Sequence, residues 1–139
     1  MDSDKYDRKK ASALARQVGT DFGASMTVAL AYVGDRLGLF KALASGLALT
    51  TTEIATQTGL KERYVREWAA TMAAAGYLDY SPDEARFRMN PEQATVLANE
   101  DTTFFTGGAF QYAVACYRQL EKLMGAFQNG GGVPFSDFG

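Results

Sequence analysis

At 139 residues the chain has enough sequence for one domain of ordinary size and too little for two large ones. It contains no histidine and a single cysteine, Cys116, so the commonest general acid–base, the commonest metal ligand and any internal disulfide are all missing, and we expect neither catalytic nor metal-binding residues. Its 14 basic and 16 acidic side chains leave no basic excess of the kind that nucleic-acid binding usually requires.

The N-terminal residues, MDSDKYDRKK, are charged and precede no apolar core, so they do not form a secretory signal. No apolar run reaches the roughly 18 to 20 residues that a membrane span requires. Together with the single cysteine, these features predict a cytoplasmic protein that has no membrane partner.

The first two predicted elements are helices separated by a break. Residues 4–18 are predicted to form a helix in which Leu14 and Val18 lie one turn apart, and Gly19 and residues 21–23 are expected to end it. A second helix is indicated by apolar residues at spacings of 4, 3, 4 and 3: Met26, Leu30, Val33, Leu37 and Phe40. Such a seam packs in the core of its own chain or serves a dimer. We therefore expect Met26, Leu30 and Val33 to be candidates for a dimer interface.

Residues 47–89 carry the most specific pattern. Thr50 and Glu53 match a capping box at the start of a short helix that ends at Thr58 and Gly59. A longer helix, KERYVREWAATMAAA, follows and ends at Gly76. Two strand-like stretches, 77–80 and 86–89, then flank a turn at 81–84. This order predicts a winged helix-turn-helix, with the helix-turn-helix at about 50–76 and the wing at about 77–89.

The remaining sequence predicts C-terminal helices at about 91–128. A short helix begins with Pro91 in its first turn and runs to about Leu97. A longer helical region opens at Thr102 or Thr103 and is apolar over much of its circumference, so a second subunit or a missing domain should cover it. The dimer-interface candidates on this region are Val114, Tyr117, Leu120 and Met124. The predicted fold class is mostly α: a winged helix-turn-helix with flanking N- and C-terminal helices and a two-stranded β-wing, over residues 1–128.

The longer helix of the helix-turn-helix is where a transcription regulator would contact bases. There, Arg63 and Arg66 are the candidates for DNA binding. Their neighbours Glu62 and Glu67 oppose phosphate binding, and residues 50–90 hold five basic and six acidic side chains. A solvated, salt-bridged face is therefore favoured over a DNA-reading one, and nucleic acid is not the expected partner.

Two glycine-rich stretches invite a ligand interpretation. Gly130–Gly132 follows a helix rather than a strand, so it is predicted to be a linker and not a phosphate-binding loop. Gly107 and Gly108 open a helix and allow close backbone approach. Packing is the favoured explanation of the next residues, but Phe110, Gln111 and Tyr112 are also candidates to face a substrate.

Three stretches together resemble the N-terminal region of a family of class I S-adenosylmethionine-dependent methyltransferases. They are GDRLGLF at 34–40, TGL at 58–60 followed by RYVREW at 63–68, and GAFQ at 108–111. The closing GGVPFSDFG is similar to that family's junction into its catalytic domain, and its Phe135 is a further substrate-facing candidate. The resemblance covers nearly the whole chain. It implies a winged helix that mediates homodimerisation and covers the substrate pocket instead of reading DNA.

The sequence departs from that family in one respect. The family's cofactor site lies in a Rossmann-like domain, with an acidic, glycine-rich loop after its first strand, and no stretch here matches that loop. The resemblance thus implies S-adenosylmethionine for a full-length enzyme, but no cofactor-binding or catalytic residue in this chain. Residues 129–139 are expected to be a linker towards an absent catalytic domain, whether the chain is a fragment or a natural stand-alone protein.

The predicted function is a dimerisation and substrate-covering domain that is not catalytically competent alone and meets a small-molecule substrate only together with a catalytic domain. The main alternative is a dimeric winged-helix transcription regulator. A third possibility is a small-molecule binder that uses the dimer interface as an apolar pocket.

Overall fold

The computed structural model describes residues 5–139, and the predicted start of the first helix at residue 4 lies outside them. Within that part of the chain, helices flank a short antiparallel hairpin. The α-helices are α1 (Arg8–Arg36), α2 (Leu39–Leu43), α3 (Thr51–Thr58), α4 (Glu62–Ala74), α5 (Pro91–Leu97), α6 (Gly107–Arg118) and α7 (Leu120–Asn129). The strands are β1 (Asp79–Ser81) and β2 (Arg86–Arg88), and a 3-10 helix spans Phe135–Phe138.

The two N-terminal helices that the sequence predicts as separate are one helix. α1 runs through 29 residues, and the Asp7 side chain caps it by accepting hydrogen bonds from the backbone N–H groups of Lys9 and Lys10. The predicted break at Gly19 and residues 21–23 is wrong because glycine inside a helix costs only about 1 kcal/mol relative to alanine, which good helix formers nearby can offset. The chain leaves the helix only before Gly38, which has a φ of 75°.

The winged helix-turn-helix is confirmed, and its local contacts follow the sequence signals. Thr50 Oγ1 accepts a hydrogen bond from Glu53 N, and Glu53 Oε2 accepts one from Thr50 N, each at 3.1 Å. α3 ends at Gly59, whose φ of 71° is left-handed. In the wing, Tyr80 pairs with Phe87, and Leu49 adds a bridge on the other side of Phe87.

The core lies where α1, α2, α3 and α4 meet the wing. Trp68 of α4 lies within it and donates its Nε1–H to the Leu30 carbonyl of α1 at 3.0 Å. The Trp68 ring packs edge-on against Phe40 of α2, with ring centroids 5.1 Å apart. The largest fully buried side chains are Phe40, Leu43, Ile54, Met72, Met89 and Val65.

The single C-terminal helical region predicted from Thr102 or Thr103 is instead a turn followed by two helices. Thr102 Oγ1 donates to the Thr95 carbonyl, and both the N–H and the Oγ1 of Thr106 donate to the Val96 carbonyl, so this stretch is tied to α5 and turns. α6 therefore begins only at Gly107. It is separated from α7 by Gln119, whose backbone leaves the helical conformation.

The stretch predicted as a linker contains ordered structure at its end. Gly130, Gly131 and Gly132 all have positive φ values, and the 3-10 helix follows them. Gln119 Nε2 donates to the Asp137 carbonyl at 2.6 Å, and Lys122 Nζ lies 2.8 Å from Asp137 Oδ2. These contacts hold the 3-10 helix against the α6–α7 junction.

Candidate interaction surface

The N-terminal half of α1, residues 8–24, projects away from the rest of the described chain. Every residue in it is exposed, and burial along α1 begins only at Ser25. It nevertheless carries large apolar side chains four residues apart: Leu14, Val18 and Phe22, with exposed fractions of 58–65%. We call this half-helix the α1 arm. Apolar side chains at helical spacing with nothing packed on them indicate a face that a partner covers.

The apolar face continues along the second half of α1. Met26 and Val33, two predicted dimer-interface residues, are exposed there, together with Leu37. Leu30, the third candidate on this helix, is half-buried and packs against the core. The apolar seam predicted from the sequence is therefore not all on one surface. Most of its residues face solvent, whereas Leu30 and Phe40 pack in or against the core.

A second apolar surface lies on α6 and α7. No residue of α7 is buried, although the helix is strongly amphipathic. We call this surface the C-terminal apolar face, and its exposed members are Tyr112, Tyr117, Leu120, Leu123, Met124 and Phe127. It includes the predicted interface residues Tyr117, Leu120 and Met124.

The two surfaces meet at a groove between α1 and α6, with a volume of about 360 Å³. Ser25 Oγ and Tyr117 Oη lie 2.7 Å apart across it. The structure thus brings three predicted interface residues from distant parts of the sequence together: Met26, Val114 and Tyr117. Only the long-range packing of α1 on α6 could reveal this groove.

The four predicted substrate-facing residues do not share one environment. Phe110 is buried in the core, and its ring lies 6.5 Å from that of Tyr77. Both rings line a groove of about 420 Å³ beside α5. Gln111 is exposed, and its Nε2 approaches Asp35 Oδ2 of α1 at 3.4 Å.

The other two candidates are more open to solvent. Tyr112 is 65% exposed, and the neighbouring Cys116 thiol one turn later raises the pKa of its hydroxyl. Phe135, on the 3-10 helix, is 89% exposed. Tyr112 and Phe135 therefore have the exposure that contact with another domain needs, whereas Phe110 mainly supports the fold.

The face of the helix-turn-helix that would meet DNA is neutralised by internal pairs. Arg63 and Arg66 are both exposed, but Arg66 pairs with Glu62 at 3.3 Å, and Glu62 also accepts a 2.7 Å hydrogen bond from Thr51. In the wing, Arg86 is held by Glu53 and by the Ala48 carbonyl, and Arg88 lies 3.5 Å from Asp79. Three of the five basic side chains in this region are thus already committed to acidic neighbours.

A further groove of about 490 Å³, which the sequence did not predict, lies between α4 and the wing. Its floor is formed largely by short side chains of α4 together with the paired aromatic rings of Tyr80 and Phe87, 4.6 Å apart. The only signal in the sequence is the set of alanines at 70, 73 and 74 on the outer side of α4.

The described residues form no cradle for a nucleotide-like cofactor. Among residues 5–139 the strands of the hairpin have three residues each, and Gly130–Gly132 leaves a helix instead of joining a strand to one. Within the same range no cluster of acidic or cysteine side chains could hold a metal ion. No helix in this range is long and apolar enough to cross a membrane.

Comparison with known proteins places this geometry in a family. The family described as "Rv2258c-like winged HTH domain" matches residues 24–99. No relative was found among curated proteins.

Three solved structures share the fold. Mitomycin 7-O-methyltransferase MmcR matches with a TM-score of 0.73 and 22% identity, over 95% of this chain and 38% of its own. PigF, whose structure was determined with SAH, matches with a TM-score of 0.63 and 19% identity, over 86% of this chain and 33% of its own. An O-methyltransferase family protein from Burkholderia thailandensis matches with a TM-score of 0.53 and 17% identity, over 81% of this chain and 31% of its own. The chain spans about a third of the length of these proteins, and the match falls on the N-terminal domain of the methyltransferases.

Proposed function

Because the chain belongs to the Rv2258c-like winged HTH domain family, we propose that it is the dimerisation and substrate-covering domain of an S-adenosylmethionine-dependent methyltransferase. In this proposal the chain forms a homodimer and leaves methyl transfer to a separate catalytic domain. The O-methyltransferases that share its fold support the assignment to this class of enzyme.

The observation that carries the proposal is the amount of surface left uncovered. A compact monomer of 15.1 kDa is expected to expose about 7,100 Å². The chain exposes 9784 Å², which is about 2,700 Å² more. A standard protein interface removes about 800 Å² from each partner. The excess is therefore large enough for a dimer contact and a second contact with a catalytic domain.

The two apolar surfaces suit these two contacts. α1 is 29 residues long, and its outer face is long enough for a helix-to-helix dimer contact. The C-terminal apolar face lies beside the 3-10 helix, where exposed aromatic rings such as Phe127 and Phe135 could close over an apolar methyl acceptor. We assign the first surface to the dimer and the second to the catalytic domain and its substrate.

The cofactor belongs to the catalytic domain in this proposal. The described residues offer no glycine-rich loop between a strand and a helix, so S-adenosylmethionine does not fit this chain. A cytoplasmic setting is part of the same proposal, because the only cysteine is unpaired, as is usual in a reducing compartment.

Light scattering at micromolar concentration, with calorimetric titration of S-adenosylmethionine, tests the proposal. We expect a dimer that shows no heat of binding for the cofactor. A monomer at about 50 μM would contradict the dimerisation role. Stable complexes with an interface of standard size have dissociation constants well below this concentration. Saturable binding of S-adenosylmethionine would show that the cofactor site had been assigned to the wrong domain.

A further inference from the structure

Two glycines in the α1 arm have no explanation within one chain. Gly19 and Gly23 lie inside a continuous helix, where glycine is the poorest helix former after proline. A Cβ added to either would meet nothing within 4 Å. Gly34, in the same helix, differs, because the indole of Trp68 occupies the space where its side chain would be. By analogy, Gly19 would receive a large side chain from another molecule.

The arm itself carries side chains of the size that these glycines would admit. Small residues, Ala15 and Gly19, and large ones, Phe22 and Met26, follow one another at spacings of 4, 3 and 4 on the outer face of α1. This spacing is that of the seam of a two-helix coiled coil. All four positions are exposed, so the seam has no occupant within the described chain.

Resting on the proposed dimeric function, we propose that the α1 helices of two copies pair antiparallel, with the two-fold axis between Thr20 and Asp21. In this register residues whose numbers add to 41 lie at the same level, and along the seam a large side chain then meets a small one. The facing pairs are Phe22 with Gly19 and Met26 with Ala15 of the second copy. The surface is complementary to itself, as a two-fold interface requires.

Other arrangements pack these residues less well. A parallel pair in register places Phe22 against Phe22 and Gly19 against Gly19, which alternates crowding with voids along the seam. The antiparallel register also explains why Gly19 stands on the same helix as exposed Phe22. The surface in excess of a compact monomer, about 2,700 Å², is more than the 800 Å² or so per partner that such an interface needs.

Disulfide trapping tests the register directly. In a Cys116→Ser background, Ala15→Cys and Met26→Cys are introduced singly and together, and the rate of covalent dimer formation is measured under mild oxidation. The double variant should link at least tenfold faster than either single variant. In the proposed pair the two copies of residue 15 lie about 16 Å apart along the axis, whereas a disulfide needs Cα atoms within about 7 Å. Equal rates in a single and the double variant would overturn the register.

A second measurement separates this inference from the proposed function. Gly19→Leu should raise the dimer dissociation constant at least tenfold, whereas Gln17→Leu, on the opposite face of the same exposed helix, should change it less than twofold. Circular dichroism should show the helix content retained in both variants. A dimer that survives Gly19→Leu would overturn the α1 pairing and leave the proposed function intact. A monomeric unsubstituted protein would overturn both.

Discussion

The backbone of Gly34 in α1 lies against the indole ring of Trp68 in α4, so closely that a Cβ on Gly34 would come within 2.5 Å of Trp68 Cζ2. The same ring donates its N–H to the carbonyl of Leu30, one turn earlier in α1. Phe40 also packs against this indole, with the two rings in an edge-to-face arrangement. The absence of one side chain thus allows the long helix to dock on the helix-turn-helix.

Replacing Gly34 with alanine should destabilise the domain despite a gain in helix propensity. The added methyl group must displace the rigid Trp68 ring, and overpacking of this kind costs about 1–3 kcal/mol. The propensity gain offsets at most about 1 kcal/mol of that. Urea denaturation measures the difference in the free energy of unfolding.

Gly125→Ala in α7 is the matched control, because nothing lies within 4 Å of a Cβ at that position. We expect it to leave stability unchanged or raise it by up to about 1 kcal/mol. A Gly34→Ala variant as stable as Gly125→Ala would show that the contact with Trp68 is looser than described.

Local signals in the sequence predicted the central part of the fold well. The capping box of Thr50 and Glu53, the glycine at position 59 and the change of period after Gly76 each act within a few residues, so they can be read without tertiary information. One error arose where tertiary contacts decide: Thr102 and Thr106 turn the chain because they bond to α5. The other was a local misjudgement, since helix α1 continues through Gly19 because a single helical glycine costs only about 1 kcal/mol.

The candidate surface could be predicted only in part, because its apolar periodicity is a local property of the sequence but its packing is not. Periodicity indicated that α1 and the C-terminal helices carry apolar faces, but it could not say which members of each face turn inward. Leu30 and Phe110 pack in or against the core, whereas Met26 and Tyr117 line a groove that exists only because α1 packs on α6. Which residues share a groove is a property of helix packing, and a single sequence does not reveal it.

The ion pair between Glu53 and Arg86 should make stability depend on pH in the acidic range. The hydrogen bond from the Thr50 backbone N–H, followed by that from Arg86, holds the pKa of Glu53 below its usual value of 4.5. A carboxyl group with a lowered pKa in the folded state stabilises the fold above its unfolded pKa. This contribution is lost as pH falls through the folded value.

Glu53→Gln should therefore lower the melting temperature at pH 7, and the difference from the unsubstituted protein should shrink below about pH 4.5. Thermal unfolding at a series of pH values between about 3 and 7 checks this. Glu84→Gln, at the exposed wing tip, serves as the control and should leave the melting temperature at pH 7 nearly unchanged. A constant deficit for Glu53→Gln across the range would contradict the role of its charge.

The winged helix should not bind DNA. Arg66 is paired with Glu62, and Arg86 is held by Glu53 and the Ala48 carbonyl, so phosphate contacts by these two arginines would have to break existing pairs. Gel retardation with random duplex DNA at about 50 mM salt, where phosphate contacts are strongest, should show no shifted band. Retardation that disappears in the Arg63→Ala/Arg66→Ala variant would instead support a transcription regulator.

The 3-10 helix at the C-terminal end should be released when its contact with α7 is removed. Lys122 Nζ lies 2.8 Å from Asp137 Oδ2, and an exposed pair of this kind is worth up to about 1 kcal/mol. Lys122→Met keeps most of the aliphatic stem and removes the charge. Chymotryptic cleavage after Phe135 or Phe138 should then become about two- to fivefold faster, because local opening exposes these bonds more often. The midpoint of global unfolding should barely move. Lys41→Met, which removes the exposed pair with Glu100 elsewhere in the domain, should leave the cleavage rate unchanged. An equal acceleration in both variants would mean that Lys122 does not specifically hold the 3-10 helix.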